Sequence, residues 1–219
     1  MAPVLVLLPS PLLGPRVWQS VAGLLRAAGR ETVVAAVGEV STAGEVVLVP
    51  HSNAGLYVPG LTEGRRVAGF VFVDAGLPPA GPGRVPLAPA AFREFLAGKA
   101  DAGGLLPPWT QWWGDGVDEL FPDAATRAEV EAEQTRLPLA YFERTLPVPA
   151  GWDGRPGAYL AFGDTYADER AAAEARGWPT RTLDGGHLHM LIDPPAVATA
   201  IAALTDQVLA AAATSPTDR

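Results

Sequence analysis

The stretch Val46-Val47-Leu48-Val49-Pro50-His51-Ser52-Asn53-Ala54-Gly55 limits what this chain can fold into more than any other. A short β-branched run of this kind packs as a buried strand. It ends at a serine with Pro50 two residues before and Ala54 two residues after, and a helix-compatible segment follows. A strand that turns into a helix within a residue or two needs small neighbours, because bulky Cβ atoms collide in so sharp a corner. Such a corner lifts the serine hydroxyl clear of the sheet edge, where a base can reach it. Ser, Asn and Gly also favour ordinary turns, so these ten residues alone leave a presented hydroxyl and a plain loop equally open.

The rest of the chain supplies a frame for such a corner. Short apolar runs at Val4–Leu8, Thr32–Val37, Val46–Val49, Val67–Val73, Ala158–Phe162 and Thr180–Leu183 read as strands. Between them, Val17–Ala28 carries Trp18, Val21, Leu24 and Leu25 at helical spacing and stops at Gly29. Ala54–Leu61 reads as a short helix limited by Pro59, Asp168–Arg176 as a helix rich in Ala, Glu and Arg, and Pro195–Ala213 as a long terminal helix with core-spaced Val197, Ile201, Leu204 and Val208. Strands alternating with helices predict an α/β fold, a mostly parallel sheet covered on both faces. Only Gly38–Glu45 separates the second strand from the third, which is short for a crossover. Either the crossover helix is absent there or the second strand is not one.

From about Ala75 to Gly157 the alternation stops. A Pro/Gly-rich run leads into Phe92–Leu96, then Trp109, Trp112 and Trp113, then a helical stretch at Asp123–Arg136. This predicts a core of residues 1–74 and 158–219 with a helical lid, 75–157, inserted between two sheet strands; a chain of 219 residues is long enough for one such domain. A net charge of −8, with Lys99 the single lysine among 16 basic residues, argues against a nucleic-acid partner. The lack of cysteine excludes disulfides, thiolate nucleophiles and Cys-ligated metals, and three histidines argue against a dedicated metal site. The first residues carry no basic segment, and the apolar run before Pro9 is too short to span a membrane. The expectation is a cytoplasmic protein with no membrane partner; oligomeric state is left open.

A second stretch, Leu183-Asp184-Gly185-Gly186-His187-Leu188-His189-Met190-Leu191-Ile192-Asp193-Pro194, places a histidine after two glycines at a strand end, with a proline opening the last helix. A serine hydroxyl is a poor nucleophile at neutral pH and needs an imidazole to take its proton, with a carboxylate to orient the ring. Together the two stretches resemble the nucleophile elbow and histidine loop of the α/β-hydrolases, in a compact form lacking the opening hairpin. Pro50 and Ala54 stand where the G-x-S-x-G pattern has glycine, with Gly55 one step later.

The resemblance implies Ser52 as nucleophile and His187 as base, with His189 packing near the base or lining the pocket. Family members often take the acid from a G-x-x-D segment, but Gly163-Asp164-Thr165-Tyr166 puts tyrosine in that register and Asp164 two positions early. Asp74, at the tip of the strand after the nucleophile helix, is the favoured acid and Asp164 the alternative. The oxyanion donors implied are the Asn53 N–H and one from the first loop. There Pro11 falls at the usual position and has no N–H, which leaves Ser10 or Leu12. Trp109, Trp112, Trp113 and Tyr141 are the candidate wall for a moderately sized apolar small-molecule substrate. The resemblance implies a serine hydrolase of an ester, lactone or thioester through an acyl-enzyme, without a cofactor. The alternatives are a lyase or cyclase using the same pair as acid and base, and a non-catalytic small-molecule-binding protein.

Overall fold

The computed structural model describes residues 2–40 and 44–214. Its main sheet is six-stranded and wholly parallel, in the order β2-β1-β3-β4-β7-β8. The strands are β1 (Val4–Leu8), β2 (Thr32–Val34), β3 (Val46–Ser52), β4 (Val67–Ala75), β7 (Gly157–Phe162) and β8 (Thr180–Leu183); β5 (Gly83–Pro86) and β6 (Thr145–Val148) pair separately and antiparallel. The helices are α1 (Gln19–Ala27), α2 (Val58–Leu61), α3 (Ala90–Ala97), α4 (Ala124–Glu133), α5 (Ala167–Ala175), α6 (His189–Ile192) and α7 (Pro194–Thr214).

Strand alternation divides the core in two. Leu5, Leu7, Val47, Val49, Val71, Val73, Leu160 and Phe162 face one layer with Val21 and Leu25 of α1 and Val197, Ile201, Leu204 and Val208 of α7. Val6, Leu8, Leu48, Phe70, Phe72 and Tyr159 face the other, with Val58 of α2 and Ala173 of α5. Each fully buried aliphatic or aromatic side chain contributes about 1.5–3 kcal/mol, and β3 and β4 bury both faces, so the two central strands are the most firmly held. Among the described residues α7 is the one helix long and apolar enough to cross a membrane by length and composition. In this fold its buried face lies on the sheet against β4 and β7.

The short second connection joins strands that are not neighbours. β2 is a three-residue edge strand paired with β1, so the chain must pass β1 to reach β3. No helix occurs in its described part; residues 41–43 of the Gly38–Glu45 connection lie outside the described residues. The predicted helix at Val17–Ala28 opens as a 3-10 turn, Pro15–Trp18, and that at Ala54–Leu61 begins with the 3-10 turn Asn53–Tyr57 before a single α-turn.

Between β4 and β7 the chain leaves the sheet and returns to it. This segment is not purely helical: β5 and β6 form a two-stranded ribbon at its base, with α3, α4 and several 3-10 turns beyond. Strands of four residues containing Gly83, Pro86 and Pro147 carry no period-two pattern, so sequence reading passes over them.

Close packing of α7 depends on Gly69 in β4. A Cβ there would lie 2.3 Å from a Val208 methyl carbon and 2.5 Å from the Pro156 carbonyl oxygen. The Val208 side chain can turn away, but the backbone oxygen cannot without moving the strand. Gly69→Ala is therefore expected to destabilise the fold by about 1–3 kcal/mol, read as a lower urea midpoint with an unchanged m-value.

Candidate active site

β3 runs straight into the corner that its sequence announces. Ser52 has φ 58° and ψ −132°, and the chain turns at once into the 3-10 segment Asn53–Tyr57. A residue with a Cβ at positive φ stores about 1–3 kcal/mol of strain and persists only where its surroundings enforce it. The small residues that the corner requires are Ala54, fully buried, and Gly55, where a Cβ would come within 2.0 Å of the Gly76 carbonyl oxygen. The displaced glycine of the motif thus has its own reason: it lets the segment after the serine lie against the end of β4.

Asp74 stands on a β-bulge. His51 pairs with Val73 and Ser52 with Ala75, so Asp74 is the extra residue of β4, at φ 42°. The bulge resets the alternation: Phe70, Phe72 and Ala75 share one layer, whereas unbroken alternation would set Ala75 with Val71 and Val73. Ser52 and Asp74 are the only non-glycine residues with positive φ among the described residues. The Asp74 carboxylate is fully buried and uses both oxygens. Oδ1 accepts from the Phe162 N–H at 3.0 Å, and Oδ2 lies 2.6 Å from His187 Nδ1. The Tyr159 hydroxyl braces the next residue, donating to the Ala75 carbonyl at 2.6 Å and accepting from the Ala75 N–H at 3.0 Å.

His187 completes the arrangement from the loop after β8. Its Nε2 lies 3.0 Å from Ser52 Oγ. Carboxylate, imidazole and hydroxyl therefore form one hydrogen-bonded chain, in the geometry by which an imidazole takes a serine proton while a carboxylate fixes its tautomer. The two glycines before His187 serve close approach. A Cβ at Gly185 would lie 2.3 Å from His189 Nδ1, and one at Gly186 would lie 2.6 Å from a Leu120 methyl. Among the described residues no group of His, Cys, Asp or Glu clusters as metal ligands would.

His51 supports the histidine loop from below. Fully buried, its Nε2–H donates to the His187 carbonyl at 3.0 Å, and its ring lies 4.5 Å from the His187 ring and edge-on to Trp18 at 6.0 Å. Burial first, then the neighbouring imidazole, hold its pKa well below the usual histidine value, against a smaller opposing effect of its hydrogen bond to the His187 carbonyl.

Asn53 fastens the inserted segment to the corner. Its side-chain amide donates to the Leu87 carbonyl at 2.9 Å and accepts from the Tyr141 hydroxyl at 3.1 Å, which in turn lies 2.6 Å from the Tyr57 hydroxyl. Burial pushes both phenols up, so both remain protonated donors. Beside Asn53 is a cavity of about 300 Å³ lined mainly by Leu56, Leu77, Leu87 and Phe92, with Tyr166 and Glu169 as its other polar walls.

Several expected residues lie elsewhere. The Asp164 side chain is 89% exposed and pairs with Arg170 at 3.7 Å, so the alternative acid is not at the histidine. The tryptophan cluster divides three ways. Trp109 is buried with its ring 6.0 Å from that of His187. Trp112 is core, its indole donating to the Pro107 carbonyl and its ring against Phe142. Trp113 is exposed and stacks on Phe92 and Phe95. Trp112 and Trp113 stand behind the cavity wall, both rings packing on Phe92, with Trp113 also 6.0 Å from Trp109. His189 packs edge-on against Phe162, behind the loop that carries His187. Of the two first-loop donors, the Leu12 N–H is directed to Ser10 Oγ at 3.4 Å. Two residues escaped sequence reading: His51, hidden as an ordinary interior position of the elbow, and Tyr166, whose hydroxyl is 3.4 Å from Ser52 Oγ.

Comparison with solved structures agrees with this architecture. The chain superposes on polyneuridine aldehyde esterase with a TM-score of 0.66 at 15% identity, covering 94% of this chain and 100% of that one. An extracellular α/β-hydrolase from a Paenibacillus species gives 0.69 at 15% identity, covering 94% and 99%. Tomato methylketone synthase I bound to 2-tridecanone gives 0.64 at 11% identity, covering 95% and 99%. The chain has the α/β-hydrolase fold. No protein-family model matches it, and no curated protein matches its sequence.

The depressed pKa of His51 has a thermodynamic sign. The unfolded chain binds a proton there near pH 6.5 and the folded chain does not until lower pH, so stability falls as pH drops below about 6.5, by at most about 1.4 kcal/mol per pH unit from this one group. His51→Gln keeps an N–H for the His187 carbonyl and removes the titration. Urea unfolding at pH 7, 6 and 5 is expected to show a shallower acid slope in the variant; equal slopes would remove His51 as the cause.

Proposed function

We propose that this chain is a serine-nucleophile hydrolase that cleaves an ester, lactone or thioester of a moderately sized apolar substrate through an acyl-enzyme. The observation that carries the reading is the continuous chain Asp74–His187–Ser52, with contacts of 2.6 and 3.0 Å, at the ends of three parallel-sheet elements. The Ser52 Oγ attacks the carbonyl carbon while His187 Nε2 takes its proton. The resulting imidazolium is stabilised by Asp74, and the Asn53 N–H faces the developing oxyanion. Collapse expels the leaving group, which receives the proton from His187, and water then releases the acyl group by the same route.

The cavity beside Asn53 supports the substrate class. Its walls are predominantly aliphatic and aromatic, and its volume of about 300 Å³ suits a compact acyl or alcohol group. The insertion between β4 and β7 supplies Leu87 and Phe92 to that wall and Trp109 to the histidine, which supports reading it as a cap over the site.

A second reading, acid–base chemistry by the same pair without an acyl-enzyme, is favoured by the first loop. Pro11 has no N–H, and the Leu12 N–H is turned to Ser10 Oγ. With Ser10 then the one first-loop candidate donor left, reduced backbone support for an oxyanion matters less to a reaction that never forms a tetrahedral acyl adduct.

Labelling with a fluorophosphonate separates the two. The hydrolase reading expects a stable adduct on Ser52, lost in Ser52→Ala, and turnover on a panel of esters of graded acyl length. His187→Ala should lower kcat by about 10⁴-fold or more and Asp74→Asn by about 10³–10⁴-fold. Absence of labelling in wild type, or a His187→Ala rate equal to wild type, would defeat the reading.

A further inference from the structure

Tyr166 is unclaimed by the Ser52–His187–Asp74 chain, although it sits beside it. It ends the loop after β7, immediately before α5, with its ring 5.6 Å from that of His187 and its hydroxyl 3.4 Å from Ser52 Oγ. It also lines the cavity beside Asn53.

Proton accounting fixes the direction of its hydrogen bond. Asp74 is an acceptor, so His187 Nδ1 carries its proton and Nε2 accepts from the Ser52 hydroxyl. The Ser52 oxygen has then spent its only hydrogen, so the contact with Tyr166 is one in which the phenol donates to Oγ. Burial is the main reason its pKa is pushed up to about 12, with Asp74 and Glu169 as the charged groups facing it and the Ser52 hydrogen bond acting the other way; the donor keeps its proton through the neutral range.

The backbone leaves room for such a donor. Asn53 offers one backbone N–H; at the first loop Pro11 has none and the Leu12 N–H is directed to Ser10 Oγ, which leaves the Ser10 N–H as the first-loop candidate. An oxyanion forms on the carbon bonded to Oγ, two bonds from the atom that Tyr166 already touches. Turning the O–H about its C–O bond re-aims the hydrogen from Oγ toward that neighbouring oxygen, where an effective donor stands about 2.7–3.1 Å away.

We propose that Tyr166 is a catalytic residue, a side-chain oxyanion donor whose O–H passes from Ser52 Oγ to the substrate carbonyl oxygen as the Oγ–C bond forms. This rests on the serine-nucleophile reading above. In the step, the Oγ–C bond forms, the carbonyl π pair moves to oxygen, the Ser52 proton goes to His187 Nε2, and Tyr166 keeps its own proton throughout. On collapse, the pair returns to the carbonyl, the bond to the leaving group breaks, and His187 returns the proton to the leaving group.

The test uses the full chain, a preferred ester from the graded panel, and the trifluoromethyl ketone that mimics that ester. Tyr166→Phe should lower kcat by about 10²–10³-fold with KM within about twofold. It should weaken the ketone, which forms an anionic adduct on Ser52, by the same factor as kcat/KM. A purely structural loss would weaken the ketone no more than the substrate. Should the Phe variant fail to fold, a fluorinated tyrosine at position 166 retains the ring and makes the phenol more acidic, and the alkaline fall of kcat should move to lower pH. Tyr166→Phe with kcat/KM and ketone affinity within twofold of wild type, or an unmoved alkaline limb in the fluorinated protein, overturns the assignment. Fluorophosphonate labelling keeps the two ideas apart. If both proteins label at Ser52, the nucleophile stands whatever becomes of Tyr166; if wild type does not label, both readings fall.

Discussion

A residue with a Cβ held at positive φ is strained by about 1–3 kcal/mol, and this protein places two of them side by side, Ser52 and Asp74, where the central strands β3 and β4 end. Strain of that size survives only on a rigid base. β3 and β4 provide it, since their inward residues are buried in both core layers. The corner at Ser52 is closed by Gly55 against the Gly76 carbonyl, and by the Gly76 N–H donating to the Ser52 carbonyl at 3.0 Å. The bulge at Asp74 is closed by Phe162 on its carboxylate and Tyr159 on the residue after it. The two corners are linked through the Gly76–Ser52 hydrogen bond and the Ser52–Ala75 pairing, while the bulge is also braced from β7.

The same ends of the strands receive the insertion, and it is tied to the site by polar contacts as well as by packing. Asn53 is the hinge of this attachment: its backbone begins the segment after Ser52 while its side chain holds Leu87 and Tyr141. Arg16, at the start of the α1 region, reaches α4 through Glu129 and Glu133. The Arg16–Glu129 ion pair is solvent-facing and worth about 0–1 kcal/mol, and Glu133 accepts only the Arg16 backbone N–H, so the half-buried Asn53–Tyr141–Tyr57 set is the stronger fixing. A cap held through the residue beside the proposed nucleophile couples its position to the shape of the cavity.

Much of this frame was legible in the sequence. Continuous apolar runs announced the parallel strands, and the serine corner and histidine loop carried recognisable spacing. What stayed hidden were features set by three-dimensional register. Asp74 could be named as a strand-tip carboxylate, but the bulge that aims it leaves no trace in composition; Phe-Val-Phe-Val-Asp-Ala reads as regular alternation. Tyr166 fell in the expected register of an acid, and only coordinates show that it occupies the site with a different group while Asp164 faces solvent. The tryptophans do form one connected cluster, Trp113 lying 6.0 Å from Trp109 and 6.2 Å from Trp112, but their burial differs in a way the sequence does not show: Trp109 and Trp112 are buried and Trp113 is exposed. β2 was visible as a strand, but its place at the sheet edge, with β1 between it and β3, belongs to topology alone.

His51 shows how the fold protects the proposed chemistry electrostatically. Two imidazoles 4.5 Å apart cannot both carry charge cheaply, and in the proposed reaction His187 must become an imidazolium beside Asp74. Burial keeps His51 neutral, so its Nε2–H can hold the His187 carbonyl without opposing that charge. A lysine or arginine at position 51 could reach the same carbonyl but would bring a permanent cation under the ring. A neutral amide would avoid the cation but offer less ring surface to Trp18. The residue before the serine is therefore chosen by a double requirement, a hydrogen-bond donor that remains uncharged and an aromatic face that fills the space beneath the loop.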